Sequence, residues 1–319
     1  MSTPESDISA WLEDLKEEAI QRGVGKDTVL EAFDGVKISP KIMEKDQTQP
    51  EKTLTAEDYI KTMVSQSRVS RGVQAFVDNK ALLEEISAEY GVPASLLVSI
   101  WGIESNYGSY TGSWNVIQAL VTLAFDSPEA RRRAFFRDEV FHALFILDKA
   151  EGPSNAAGLK GSWAGAMGQC QFMPSSFRNY AVDFDRDGRK DIWSSKADIF
   201  ASIANYLAEH GWEIGGKYAQ KVKIPSDMDK SVYGLDIKKN VNRWLEENTI
   251  TACDGSQLSG DEPVSLVAPD GPSGVAYLVW ENFRVVMRYN ISILYSLAVY
   301  ELAEEITAGM TALESKANE

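Results

Sequence analysis

The stretch from Ala94 to Gly108 constrains the fold more than any other part of the chain. After Pro93, the residues Ala94, Leu96, Leu97, Val98, Ile100, Trp101 and Ile103 are nonpolar on nearly every helical face. A helix that is apolar all round belongs inside a protein core. The run closes on one carboxylate, Glu104, with the helix-ending residues Asn106 and Gly108 behind it. Burial favours the neutral form of a carboxyl group, and the negative end of the helix dipole acts in the same direction. Glu104 is therefore expected to hold its proton toward neutrality, as a general acid must. The alternative is a glutamate that turns out to solvent where the helix frays.

A core helix of this kind needs a large chain around it. With 319 residues, 44% of them hydrophobic, and 8 Trp, 12 Tyr and 12 Phe, the chain can bury a core shared by two or three domains. Its formal net charge of −15 argues against nucleic acid or an anionic membrane surface as the main partner. Two cysteines, Cys170 and Cys253, are too few for a disulfide framework or a cysteine zinc site. One bridge is possible; two buried free thiols are favoured. Of the two histidines, His142 lies in a helical stretch and His210 precedes Gly211 at a helix end, where a polar residue caps. That inventory argues against a zinc hydrolase or a Ser–His–Asp mechanism. Met1 to Asp7 show no basic stretch followed by an apolar one, and no cysteine near the start offers a lipid anchor. No run approaches the roughly 18–20 apolar residues of a membrane span. The chain as written reads as soluble, and a processed secreted protein has the same appearance.

Taken in order, residues 8–23 form an amphipathic helix with Ile8, Trp11, Leu12, Leu15, Ala19 and Ile20 on one stripe, and a short helix covers 27–33. Residues 36–56, with Pro40 and Pro50, read as an extended connector. Helices are expected at 55–66 and 74–90, then the Glu104 helix, then a loop to Trp114 and a helix over 116–125. Asp126-Ser127-Pro128 starts another helix, in which Arg131, Arg132 and Arg133 point in different directions. Helices at 174–180 and 197–210 follow. Beyond Gly215-Gly216, β-like runs at 222–224, 264–267 and 275–280 alternate with turn residues, which makes 216–285 a small β-containing module. Residues 283–290 lead into a last helix over 291–306, and the tail is expected to fray.

Two further stretches carry chemistry. Gly161 to Pro174 has three glycines and two alanines within eight positions, so another backbone or a ligand can approach closely. Ser162 and Gln171 offer hydrogen-bonding groups there. Asp183-Phe-Asp185-Arg-Asp187-Gly188-Arg189 opens like an EF-hand calcium loop, with carboxylates at positions 1, 3 and 5, Gly at 6 and the Arg189 carbonyl at 7. Carboxylates crowded in this way repel unless a cation neutralises them. Position 12 is Ser194 in place of the bidentate Glu, and Asp191 or Asp198 can supply the missing oxygen.

Together the segments "WGIESNYG", "GSWAGAMGQCQFMPSSFRNYAVDFDRDGRKDIW", "ASIANYLAEHGW" and "NFRVVMRYNISILYSLAVYELA" resemble the lytic murein transglycosylase B family, glycoside hydrolase family 103. The resemblance implies a mainly α (α+β) fold. It divides the chain into an N-terminal helical region (1–92), a lysozyme-like catalytic core with the calcium loop (93–215), the β-containing module (216–285) and a C-terminal helix returning near the cleft (286–319). It implies cleavage of the β-1,4 bond between N-acetylmuramic acid and N-acetylglucosamine, leaving a 1,6-anhydro end. Glu104 would act first as acid and then as base, with no cofactor in the chemistry. An ordinary glycosidase needs two carboxylates about 5–9 Å apart, whereas these motifs offer Glu104 alone.

By the same resemblance Ser162, Gln171, Phe172, Tyr206, Tyr289, Asn290 and Tyr295 line the sugar cleft, joined by Tyr59. Arg132 and Arg133 would meet lactyl or stem-peptide carboxylates. The structural calcium ion would be held by Asp183, Asp185, Asp187, the Arg189 carbonyl and Asp198. The expected partners are peptidoglycan glycan strands, with cell-wall synthesis enzymes as candidate protein partners of a monomeric chain. The expected location is the periplasm, with an export signal or anchor lying outside the given chain. A hydrolytic muramidase and a non-catalytic, calcium-dependent peptidoglycan-binding protein are the competing readings.

Overall fold

The computed structural model describes residues 4–47, 54–153 and 155–317. Expectations for residues 48–53, including the middle of the connector, lie outside them. In chain order the first elements are α1 (Pro4–Gln21), α2 (Lys26–Ala32), α3 (Pro40–Gln47), α4 (Ala56–Met63), α5 (Gln66–Asp78), α6 (Lys80–Tyr90) and α7 (Ala94–Ser105). Then come β1 (Trp114–Asn115), α8 (Val116–Asp126), α9 (Ala130–Asp148), β2 (Lys160–Gly161), α10 (Pro174–Tyr180) and α11 (Lys196–Glu209). The remainder is β3 (Ala219–Lys223), β4 (Lys238–Asn240), α12 (Val241–Glu247), β5 (Thr251–Ala252), β6 (Pro263–Val267), β7 (Ala276–Val279), α13 (Glu281–Tyr289) and α14 (Ile293–Ala317). The fold is mainly α, as expected. No single helix among the described residues is long and apolar enough to cross a membrane.

The chain divides into two compact units, each built from two stretches of sequence: residues 1–49 with 108–202, and residues 50–107 with 203–319. In the first, α8 and α9 form the centre. Ile117, Leu120, Val121, Phe141 and Leu144 of these helices are buried, and Trp11 of α1 meets Phe125 edge-on at 5.2 Å. The stretch around α3 departs from the expected connector. Pro40 stands at its first position, where a fixed φ and a missing N–H suit a helix start, and Ile42 is fully buried. β1 and β2 pair antiparallel, Trp114 opposite Gly161.

In the second unit α7 is the core helix its composition demands, with Leu97, Val98 and Ile100 fully buried. The helix expected over 74–90 is two, α5 and α6, parted at Asn79, whose side chain bonds back to the Ala75 carbonyl. The strands form one antiparallel sheet in the order β4-β6-β7-β3-β5. Alternation along β7 explains its burial. Ala276 and Leu278 join Trp244, Val264 and Leu266 in one core cluster, while Tyr277 and Val279 join Phe283 and Leu297 in another. Two boundaries differ from expectation. Residues 281–289 already form a helix, and α14 runs on to Ala317 without fraying at 306, because Ile306 and Met310 stay buried. Both thiols are free as expected, but only Cys170 is buried. Cys253 is exposed because it leaves β5, the edge strand of the sheet.

Candidate active site

The end of α7 is built by a succession of left-handed residues. Asn106 caps the helix at φ 51° and ψ 50°, its N–H donating to the Gly102 carbonyl at 3.1 Å and the Tyr107 N–H to the Trp101 carbonyl at 3.4 Å. Tyr107 follows at φ 59°. A non-glycine residue in this region costs roughly 1–2 kcal/mol, so the surroundings must hold it. They do: the Tyr107 hydroxyl donates to the Arg68 carbonyl at 2.8 Å, and its ring meets Trp101 edge-on at 5.4 Å. Arg71 donates to the Asn106 side-chain oxygen and to its carbonyl, each at 2.8 Å. A methyl group on Gly102 would stand 2.5 Å from the Tyr107 ring. Gly102 is thus glycine because the ring folds back onto the helix.

Glu104, in the last turn of α7, is half-buried. It is therefore neither sealed in the core nor turned freely to solvent. Its Oε1 accepts a 2.5 Å hydrogen bond from the Tyr295 hydroxyl. Tyr295 lies in the first turn of α14, retains 2% of its surface and has its N–H on the Ser292 hydroxyl at 3.2 Å. Burial, then the Glu104 charge and the neighbouring Tyr289, push the Tyr295 phenol well above its ordinary range, so it stays a donor. Tyr206 meets Tyr289 edge-on at 4.9 Å, stacks on His210 at 4.1 Å and donates to the Arg288 carbonyl at 2.7 Å. Asn290 ends α13 in extended conformation. The structure thus gathers Glu104, Tyr295, Tyr289 and Tyr206 into one chain of neighbours. Tyr59, in α4, also keeps only 2% of its surface. His210 Nδ1–H donates to the Tyr206 carbonyl, 2.6 Å away, in the capping role expected of it.

In the first unit the glycine-rich stretch closes on backbone. The position of a Cβ on Gly161 lies 2.1 Å from the Ala166 carbonyl oxygen. The Ser162 hydroxyl accepts from the Ala164 and Ala166 N–H groups at 3.2 and 3.0 Å. Gln171 adopts φ 51°, and its amide donates to the Thr111 and Gly168 carbonyls at 3.1 and 2.8 Å. Phe172 bridges Met167 and is buried to 2% exposure. Arg132 pairs with Asp46 at 2.5 Å, and Arg133 donates to the Ser127 and Pro128 carbonyls. His142 contacts Arg178 at 2.8 Å; burial, and then Arg178, pull its pKa down.

Asp183, Asp185 and Asp187 each offer a carboxylate oxygen, all within 4.8 Å of one another. Backbone N–H groups of Asp187 and Gly188 fold onto Asp183, at 3.1 and 2.9 Å, and Gly188 takes φ 92°. Asp198 stands apart from that trio. Fully buried, it accepts from the Phe184 N–H at 2.8 Å and the Asp191 N–H at 2.7 Å, tying the two ends of the loop together. Asp191 in turn caps the Trp193 and Ser194 N–H groups at 2.8 and 2.9 Å. One residue with a part in this architecture is not marked by any motif of the sequence: Arg71, which fixes Asn106. The Asn-Tyr-Gly run marks a helix end, but nothing local marks a partner 35 positions earlier.

A transglycosylase SLT domain matches residues 7–304. Membrane-bound lytic murein transglycosylase B of Escherichia coli (strain K12) is 33% identical over 252 residues, 78% of this chain and 66% of that protein, so the match falls just short of two thirds of that relative. Among solved structures, SltB3 from Pseudomonas aeruginosa in complex with NAG-NAM-pentapeptide superposes with a TM-score of 0.86 at 39% identity, covering 94% of this chain and 79% of that one. The Escherichia coli lytic transglycosylase Slt35 in complex with calcium gives a TM-score of 0.81 at 27% identity, covering 94% and 93%. These neighbours carry the lysozyme-like fold expected from the sequence. Since the helix ending on Glu104, the aspartate loop and Tyr295 all fall inside the matched span, the chain belongs to the transglycosylase SLT domain family.

Proposed function

We propose that this protein is a peptidoglycan lytic transglycosylase that cleaves the β-1,4 bond between N-acetylmuramic acid and N-acetylglucosamine. The observation that carries the reading is the hydrogen bond from Tyr295 to Glu104 Oε1 at 2.5 Å. It gives a half-buried carboxyl group a fixed orientation and a permanent donor, which suits proton transfer in both directions. The Glu104 carboxylic acid, protonated on Oε2, gives its proton to the glycosidic oxygen as the bond to C1 of the muramoyl residue breaks. The carboxylate then takes the proton of the C6 hydroxyl while that oxygen closes onto C1. No water is consumed, and Glu104 returns to its starting state. The substrate's own N-acetyl group stabilises the positive charge at C1.

Tyr206, Tyr289 and Asn290 are assigned contacts with the glycan, since tyrosine rings suit sugar faces and retain a polar edge. Ser162 and Gln171 are assigned polar contacts, and Tyr59 and Phe172, both buried, support of the fold beneath. Arg132 and Arg133 meet lactyl or stem-peptide carboxylates by exchanging their present partners. Similarity to a protein solved with NAG-NAM-pentapeptide supports a strand that carries stem peptides. Similarity to a membrane-bound murein enzyme supports action in the periplasm.

The aspartate loop is assigned a structural calcium ion. Oxygens about 2.3–2.6 Å from one calcium lie within roughly 5 Å of each other, and the trio's 4.8 Å span fits that limit. Likeness to a relative solved in complex with calcium supports the same choice. Asp183, Asp185 and Asp187 would hold the ion, with the Arg189 carbonyl beside them. Asp198, outside that trio and holding the loop ends, would join them only through its remaining lone pairs. The ion's role is to neutralise the loop, and no proton step passes through it.

Mass spectrometry of digested sacculi tests the reaction. Ends one water lighter than reducing sugars are expected, and Glu104→Gln should abolish them. Reducing ends would make the protein a muramidase. No release at all by the wild type would leave a binding protein.

A further inference from the structure

A cleft enclosing about 470 Å³ opens at the N-terminal end of α7, lined from Pro93, Ser95 and Leu96 and from the β-containing part of the second unit. That volume falls within the roughly 300–1,000 Å³ of small-ligand sites. Its lining includes four aromatic rings, Trp212, Tyr218, Trp280 and Tyr300, of which Trp212 and Trp280 show only an edge, at 9% and 6% exposure. Three of them turn their polar atom into the protein. Trp212 Nε1 donates to the Gly91 carbonyl at 3.0 Å, Trp280 Nε1 to Glu262 at 3.1 Å, and the Tyr218 hydroxyl to the Ser296 carbonyl at 2.8 Å. Those bonds fix ring orientation before any ligand arrives, which lowers the entropy lost on binding. The polar lining is mostly neutral: the Ser95, Ser256 and Ser259 hydroxyls and the Gln220 and Gln257 amides. Lys217 and Glu304 supply one charge of each sign, and the Lys217 ammonium already stands 5.2 Å over the Trp280 ring.

We propose that this cleft is a second saccharide site, taking a β-1,4-linked chain of N-acetylated amino sugars. Rigid aromatic walls suit the apolar faces of pyranose rings. Amides that both donate and accept suit N-acetyl groups, and balanced charges favour a neutral ligand. The site is distinct from the proton shuttle, since Ser95 and Glu104 sit at opposite ends of α7, about 13 Å apart along the axis. Only the identity of the sugar rests on the reading of the chain as a glycan-cleaving enzyme.

The test uses the full chain carrying Glu104→Gln, titrated with tetra-N-acetylchitotetraose while the indole N–H signals of Trp212 and Trp280 are followed by NMR. Both signals should shift saturably. Gln257→Trp, on an exposed loop that it would use to fill the cleft, and Lys217→Glu should weaken that shift on the order of tenfold. Both variants should leave release of anhydro ends from sacculi by the Glu104-bearing chain unchanged. Silent indoles up to about 10 mM sugar, or variants that bind as the parent does, overturn the site. So does a response to D-alanyl-D-alanine alone, which would make the ligand an amino-acid zwitterion. If the indoles respond but the wild type releases no anhydro ends, the cleft stands and the transglycosylase reading falls; active enzyme with silent indoles gives the reverse.

Discussion

Tyr295 holds Glu104 from a position 191 residues later in the chain, through one 2.5 Å hydrogen bond to Oε1. Because burial and the Glu104 charge keep that phenol protonated, it orients the carboxyl group through the whole pH range of a working enzyme. Tyr295→Phe removes the donor and little else. Turnover on sacculi should fall on the order of ten- to a hundredfold, with KM little altered and the melting temperature within a few degrees of wild type. A Phe variant with undiminished kcat would remove Tyr295 from the proton path.

Gly102 makes room for the Tyr107 ring, whose nearest atoms lie 2.5–2.7 Å from the point a methyl group would occupy. Gly102→Ala must displace that ring or the helix end, at about 1–3 kcal/mol, and should lower activity as Glu104 moves with its turn. Chemical denaturation and product release measure the two effects. If alanine is accepted with neither changed, the ring does not fix the helix end.

Chelation should lower the melting temperature, because an ion bound only to the folded state stabilises it. Added Ca²⁺ should restore it. Asp183→Asn combined with Asp185→Asn should abolish the response while leaving the chain folded. A melting curve blind to both chelator and calcium excludes the metal.

Acid sensitivity should arise partly at Glu18. Its hydrogen bond from Arg137, assisted by Arg22 and opposed by burial, brings its pKa down from 4.5 to about 2. A carboxylate depressed by folding adds stability above its unfolded pKa, and that stability drains as pH falls from about 4.5 toward 2. Glu18→Gln should therefore lose less stability than wild type between about pH 6 and pH 3. With the side chain 29% exposed, the difference should be about 1 kcal/mol after screening. Equal pH slopes in urea denaturation would contradict it.

The parts legible in the sequence are those set by local pattern: the apolar surround of α7, the aspartate spacing at 183–187 and the helix stops at Gly91 and Asn106. The parts that are not legible depend on distant partners. Pro40 has the look of a connector residue, and only the core that Ile42 enters makes it a helix start. Phe172 and Tyr59 belong to a sugar-cleft pattern by kinship, and nothing in their sequence neighbourhood shows that the fold buries both. Arg132 and Arg133 give no hint in sequence that Asp46 and two carbonyls already engage them. Trp212 and Tyr218 of the α7 cleft are near neighbours in sequence, but Trp280 and Tyr300 come from two later stretches, so no short window contains all four.

The long separation between Glu104 and Tyr295 also sets an order of events during synthesis. A growing polypeptide carries its acid early and acquires the hydroxyl that aims it only when α14, Ile293–Ala317, emerges from the ribosome. The acid on α7 is therefore made well before its aligning partner, and the oriented pair exists only once α14 has packed against α7.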